Sequence, residues 1–280
     1  MTENGKMNKA IGERIKAARK VKGLSQEDLG DLLGVSFQAV SSWETGKFIP
    51  DSDHLAALAK ALDLSLDALF VDANKNWKLE KVNFHPNSMF TFVKGKAQDF
   101  DLKQTLKVLD IVRDAHGDQE RKSKYGFEMP YVAHPLTMAC HALAMGLRDD
   151  DVIAACLAHD MVEDSNGKVT LENLPVGDRV REAVRLVSKN LYDPYDEKAY
   201  FEAIEKNPLA CLVKCLDRVN NLAGMADAFS RKKMIQYTEE TDKYYPALLE
   251  VVKKTHGWND AWWLLRYQMM TMVETFKRLL

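Results

Sequence analysis

The ten residues from Ala155 to Asp164, ACLAHDMVED, limit what this chain can fold into more than any others. Ile153, Ala154, Cys156, Leu157, Met161 and Val162 give the stretch the apolar content of a buried helix. Four ionisable side chains, His159, Asp160, Glu163 and Asp164, interrupt it. Burying such groups is costly unless each is paired or coordinated. A bound cation is the simplest common partner for His159 and Asp160: adjacent helical positions lie about 100° apart, so both reach one ion at its edge. Glu163 and Asp164 follow at i+4, on the same helix face. The fold must bring the remaining ligands from other segments.

Helical patterns dominate the flanking sequence, and an all-α fold is expected. Leu102, Leu106, Leu109 and Val112 form one apolar stripe, which His116-Gly117 closes. Pro135 suits the first turn of a helix and places His134 at its N-terminal edge. Asp149-Asp150-Asp151 caps the central helix. Short helices are expected at Thr170–Leu174, Asp178–Val187 and Ala199–Lys206, and a longer one from Pro208 to Met225. Trp258–Leu280 is apolar nearly all round, which suits either burial or a subunit contact. His116 and His141 read as structural.

The first seventy residues divide into five short helices. Ile11, Ile15, Ala18 and Val21 form the stripe of the first. Ser25, with Asp28 three positions on, opens the second, and Gly34-Val35 turns the chain into a third capped by Ser36. Leu55, Leu58, Ala59 and Leu62 line the fourth, and Ser65 caps the fifth. Residues 72–99 read as a bridge. Within it Leu79–Phe84 and Met89–Val93 carry β-branched and aromatic residues around a turn at His85, which allows a small β-hairpin.

Leu24-Ser-Gln-Glu-Asp-Leu29, Leu32-Leu-Gly-Val-Ser36, Val40-Ser-Ser-Trp43-Glu44-Thr-Gly46-Lys47 and Pro50 resemble the XRE family of Cro/repressor-like helix-turn-helix domains. The resemblance covers about residues 10–71 and implies a DNA-binding domain at 1–71. It places Phe37, Gln38 and Ser42 toward the major groove, with Ser36 and Ser41 on the same outer face. Gln38 suits an adenine edge. Gln26 at the start of the second helix and Lys47 would meet the phosphate backbone. One such module supplies little affinity, so the DNA-bound form is expected to be a homodimer on a two-fold site.

His134, His159-Asp160 and Asp217 match the pattern of the HD superfamily of metal-dependent phosphohydrolases. Arg121-Lys-Ser, Pro130-Tyr-x-x-His134-Pro135, His159-Asp-x-Val-Glu-Asp164, Val187-Ser-Lys189 and Val213-Lys-x-x-Asp217-Arg-x-x-Asn221 narrow it: together they resemble the hydrolase domain of the RelA/SpoT family. That resemblance implies a domain at 100–280 that removes the 3′-pyrophosphate from ppGpp and pppGpp with Mn²⁺. It makes His134, His159, Asp160 and Asp217 metal ligands. It makes Glu163 and Asp164 the groups that orient or deprotonate the attacking water, and Arg121, Lys122, Ser188, Lys214 and Asn221 substrate contacts. Two imidazoles and two carboxylates suit a divalent first-row metal. The chain departs from the family pattern in three ways. The span from Arg121 to His134 is thirteen residues, four more than usual, which puts base specificity in doubt. Asn220 stands where the family usually has His. Nothing after the domain resembles a synthetase, so hydrolysis alone is expected.

Composition excludes rather than selects. A net charge of −2 gives no global attraction to nucleic acid or membrane, although seven basic residues against one acid between Lys6 and Lys22 leave a local patch. No secretory signal and no membrane-spanning apolar run are present, so a cytoplasmic protein without membrane contact is expected. The four cysteines lie in apolar helical patterns and read as reduced thiols; Cys211 and Cys215, at i and i+4, have the spacing of half a zinc site but no second pair. Two other functions remain open: an HD phosphohydrolase acting on another nucleotide, and a transcriptional regulator whose HD domain only senses one.

Overall fold

A computed structural model describes residues 3–64, 66–70, 85–116, 120–121 and 129–280. The chain divides into two compact units, Met1–Gly95 and Lys96–Leu280.

The first unit contains α1 (Glu3–Val21), α2 (Gln26–Leu33), α3 (Phe37–Glu44), α4 (Ser52–Leu62) and α5 (Leu66–Phe70). Local chemistry sets these limits. Ser25 Oγ accepts from the Asp28 amide at 3.0 Å while Asp28 accepts from the Ser25 amide at 2.7 Å, a reciprocal capping box. Gly34 ends α2 at φ 67°, a left-handed conformation that glycine adopts without a Cβ penalty. Ile11, Ile15, Leu29, Val40, Trp43, Leu55, Leu58, Leu62 and Leu69 form one core. Gly12 is the point of closest helix approach: a Cβ there would lie 2.3 Å from the Trp43 carbonyl oxygen. Val21 is 87% exposed, so the α1 stripe ends one turn earlier than expected and the buried Arg19 takes over.

The expected hairpin in the bridge is corrected. Met89–Val93 lies inside a helix, α6 (Pro86–Asp99), and Leu79–Phe84 lies outside the described residues. Pro86 pre-sets the first helical turn, and Met89, Val93 and Ala97 recur at i, i+4 and i+8 and are buried. That helical period overrides the β propensity of the individual residues. Ser65, the expected cap of α5, also falls outside the described residues.

The second unit is built on α7 (Lys103–His116), α8 (Ala133–Ala144), α9 (Asp150–Ala158), α10 (Met161–Asp164), α11 (Asp178–Val187), α12 (Glu197–Glu205), α13 (Pro208–Ala228), α14 (Arg231–Lys254) and α15 (Asn259–Leu279). Strands β1 (Glu120–Arg121) and β2 (Met129–Pro130) form a two-residue antiparallel ladder, the one departure from an all-helical fold among the described residues. The central element is α9, which packs against α7, α8, α11 and α13; every residue from Val152 to Ala158 is fully buried. The Asp150 carboxylate accepts from the backbone amides of Gln104 (2.8 Å) and Thr105 (2.9 Å), which joins the N-termini of α7 and α9. The expected helix at Thr170–Leu174 is a turn instead. The Thr170 amide donates to Asn173 Oδ1, and the Asn173 side chain donates to the Lys168 carbonyl, so side chains satisfy the backbone without a helix.

Candidate functional site

The central helix breaks where its charged residues begin. Helix α9 stops at Ala158, and α10 restarts at Met161. The break lets both Asp160 oxygens reach imidazoles. Oδ1 lies 2.9 Å from His159 Nε2, and Oδ2 lies 3.5 Å from His134 Nε2. Pro135 sits within the first turn of α8, which carries His134 to the same point. From the middle of α13, Asp217 Oδ1 approaches His134 Nε2 at 3.2 Å and His159 Nε2 at 3.9 Å. Three segments far apart in sequence thus converge, and the imidazole centroids are 5.1 Å apart.

The ring orientations follow from the outer partners. His159 Nδ1–H donates to the Cys156 carbonyl at 2.9 Å, which turns Nε2 toward Asp160 and Asp217. That Nε2 is buried and has no hydrogen-bond partner. On His134, Nδ1–H donates to Asn220 Oδ1 at 3.3 Å and aims Nε2 at the two carboxylates. Donor atoms of His134, His159 and Asp160 all lie within 4.8 Å of one another, so these three could hold one cation, and Asp217 Oδ1 approaches both imidazoles. Burial pushes the Asp160 carboxyl up, but His159 and His134 more than offset it and hold it below the ordinary aspartate range. Asp217 lies well below it too: Lys214, 3.3 Å away, and both imidazoles outweigh its burial.

These groups sit in a cleft of about 510 Å³. Glu163 and Asp164 line it. Burial raises the Glu163 carboxyl pKa; the Lys189 amide, donating at 3.3 Å, partly offsets this, and Asp160 and Asp164 raise it further. Lys214 and Asn221 also line the cleft, and Asn221 Nδ2 donates to Asp217 Oδ1 at 2.5 Å. Ser188 is elsewhere: fully buried, it donates Oγ–H to the Val184 carbonyl at 2.8 Å. Its neighbours Val187 and Lys189 are the residues of that motif on the cleft wall. The Arg121 side chain and all of Lys122 lie outside the described residues.

Sequence reasoning passed over Tyr131. Its hydroxyl reaches Asp160 Oδ2 at 2.9 Å and Asp164 Oδ2 at 2.5 Å. Burial, with both carboxylates adding to it, raises the phenol pKa far above its ordinary value, so Tyr131 remains a donor. Its position three residues before His134 was the available signal. Lys233, Tyr237 and Glu240 on α14 also line the cleft. Their i, i+4, i+7 spacing reads from sequence as a solvated helix face. Cys211 and Cys215 are buried thiols with raised pKa values, Cys211 pushed up to about 12 by burial first, and Cys211 Sγ–H donates to the Ile204 carbonyl at 3.2 Å.

In the first unit, Ser36 caps α3 and accepts from the Ala39 amide at 3.3 Å. Phe37 is half exposed, Gln38 and Lys47 are exposed, and Ser41 and Ser42 are partly so. Gln26 is held differently: its Nε2 donates to Glu44 Oε2 at 2.7 Å. Glu44 is buried and also accepts from Arg19 at 2.5 and 3.0 Å, so one carboxylate ties α1, α2 and α3 together.

Among the described residues no helix is long and apolar enough to cross a membrane. Residues 131–232 match the HD domain family, and residues 15–69 match a helix-turn-helix family. The chain is 30% identical over 162 residues to guanosine-3′,5′-bis(diphosphate) 3′-pyrophosphohydrolase MESH1 of Mus musculus, covering 56% of this chain and 87% of that protein. It is 29% identical over 154 residues to the guanosine-3′,5′-bis(diphosphate) 3′-pyrophosphohydrolase of Aquifex aeolicus, 52% of this chain but only 21% of that protein. It is also 31% identical over 99 residues to the SPbeta prophage-derived uncharacterized HTH-type transcriptional regulator YonR of Bacillus subtilis, 35% of this chain and 92% of that protein.

Proposed function

We propose that this chain, which belongs to the HD family of metal-dependent phosphohydrolases and carries an XRE-type helix-turn-helix, hydrolyses a ppGpp-like nucleotide and binds DNA through its first seventy-one residues. The observation that carries the enzymatic reading is the buried Nε2 of His159 aimed, beside that of His134, at the carboxylates of Asp160 and Asp217. A polar atom so placed is costly without a partner, and the donor set fits a divalent cation. His134, His159, Asp160 and Asp217 would hold it, with Mn²⁺ as the proposed ion. When bound, such an ion supplies Lewis acidity toward water and toward a phosphoryl oxygen.

The side chains account for the rest. Glu163 has a raised proton affinity and takes the proton of the attacking water at its carboxylate. Asp164 fixes that water, itself held by the Tyr131 hydroxyl. Lys189, Lys214 and Lys233, all lining the cleft, offer positive charge to phosphate oxygens, offsetting charge that develops as the pyrophosphate leaves. Asn221 orients Asp217. Arg121 and Lys122 remain candidates for the same phosphates on the family pattern.

For DNA, Phe37, Gln38 and Ser42, with Ser36 and Ser41 beside them, form the reading face, and Lys47 meets a phosphate. Gln26 positions the module through Glu44 and contacts the backbone from the start of α2. The bound form is a homodimer on a two-fold site, and the cytoplasm is where both partners are found.

Purified protein with Mn²⁺ is offered ppGpp, pppGpp, NADPH and simple nucleotides while pyrophosphate release is followed. Release from the first two that is abolished in Asp160→Ala is the expected result. Binding without turnover would overturn the hydrolase reading and leave a nucleotide sensor. Turnover of another nucleotide alone would overturn the substrate. Gel shifts with the upstream DNA of the host operon test the other half: Gln38→Ala and Lys47→Ala should each weaken binding, Lys47→Ala also lowering the salt dependence.

A further inference from the structure

The corner between α13 and α14 is two residues long, Phe229 and Ser230. Ser230 Oγ accepts from the Lys233 amide at 3.3 Å and so starts α14. The first turn of α14 carries Arg231, Lys232 and Lys233 and no acid, which sets three cations against the positive end of the helix dipole. A local conflict of this kind is typical of functional sites. Among the described residues no carboxylate pairs with the Lys233 ammonium. Its contact is the Phe229 ring, four residues earlier, with Nζ 4.0 Å from the ring centroid. Both residues line the cleft that holds the His–Asp cluster.

The ring is itself held. Tyr237, one turn beyond Lys233, meets it edge to face, with centroids 5.2 Å apart and planes at 75°. The Arg218 guanidinium carbon lies 3.5 Å from the Tyr237 centroid. Arg218 is buried and fixed: it pairs with Glu240 and donates to the Tyr237 carbonyl at 3.2 Å and to Thr241 Oγ1 at 3.3 Å. It directly follows Asp217 in α13. Cation, ring, ring and cation therefore form one ladder, from the residue beside Asp217 to the ammonium in the cleft.

We propose that Phe229 is a positioning residue, whose ring holds the Lys233 ammonium in the cleft, uncancelled, for a phosphate group of the substrate. A π face attracts an ammonium without neutralising it. A carboxylate in the same place would hold Lys233 equally well and repel the phosphate. Because the ladder ends beside Asp217, the charge also stays in register with the proposed metal centre. This role rests on phosphate binding by Lys233.

Isothermal titration of the Mn²⁺-loaded full chain, freed of excess ion, with inorganic pyrophosphate tests it. Phe229→Leu keeps the apolar bulk but removes the π face. It should weaken binding by about 2–30-fold, the span from an exposed to a desolvated cation–π contact. Metal content and the Tm of the second unit should not change. Phe229→Trp should restore the affinity, since indole is the strongest partner for a cation. Lys233→Met should also weaken binding, and Phe229→Leu should add little once Lys233 is gone, because the two act as one unit. Additive losses, or a tryptophan that fails to restore, would overturn the proposal and leave Phe229 a packing residue. So would pyrophosphate binding that is absent, or indifferent to Lys233→Met. A wild-type chain that binds pyrophosphate in this pattern but does not turn over ppGpp would count against the substrate proposed above and leave the role of Phe229 standing.

Discussion

At the scale of single residues, Asn220 is the least obvious contributor. It touches no proposed substrate group, yet its Oδ1 accepts the Nδ1–H of His134 and so decides which imidazole nitrogen faces Asp160 and Asp217. Partners behind a ligand typically change metal affinity by 10–100-fold. Asn220→Ala should therefore weaken Mn²⁺ binding by about that factor in a chelator competition, and Asn220→His should recover part of it. Glu163 makes a separable prediction. It lies one helical turn beyond Asp160 and outside the ligand cluster, so Glu163→Gln should keep the bound metal. It should lower kcat by roughly 10²–10⁴, the usual worth of a positioned general base. Metal analysis beside steady-state kinetics distinguishes the two variants.

At the scale of elements, the first unit depends on one buried carboxylate as much as on its apolar core. Glu44 at the end of α3 holds Arg19 of α1 and Gln26 of α2. Removing one partner of such a buried pair typically costs about 3–5 kcal/mol, so Glu44→Ala should unfold this unit first in a thermal scan. Burial pushes the Glu44 carboxyl up, but hydrogen bonds from Arg19 and Gln26 and the Arg19 charge leave it below the ordinary glutamate range. A carboxyl whose folded pKa lies below its unfolded value contributes stability above the unfolded value, and that contribution is lost as pH falls through the folded one. Melting of this unit should be nearly flat above about pH 5 and fall steeply below about pH 4. Glu44→Gln should blunt that dependence.

At the scale of the whole molecule, two units with separate cores should respond separately. Chelation removes the proposed partner of His159 Nε2, so it should lower the Tm of the second unit's transition and leave the first unchanged, with Mn²⁺ restoring it. A scan in which both transitions move together would contradict that independence. Sequence alone determined the element types, because caps and apolar periods are local: Ser25 with Asp28, Ser36 and the stripe of α4 were legible before any fold was known. It also supplied the chemistry of the cluster, since His and Asp in a buried helix demand a partner. Tertiary structure decided where that chemistry meets. The break between α9 and α10 turns Asp160 toward both imidazoles, and α14 supplies a wall that its polar periodicity concealed. It also decided that Met89–Val93 is helical, since β propensity yields to the packing of a stripe. Such features depend on distances between segments more than eighty residues apart, such as His134 and Asp217. Packing sets those distances, and no local pattern encodes them.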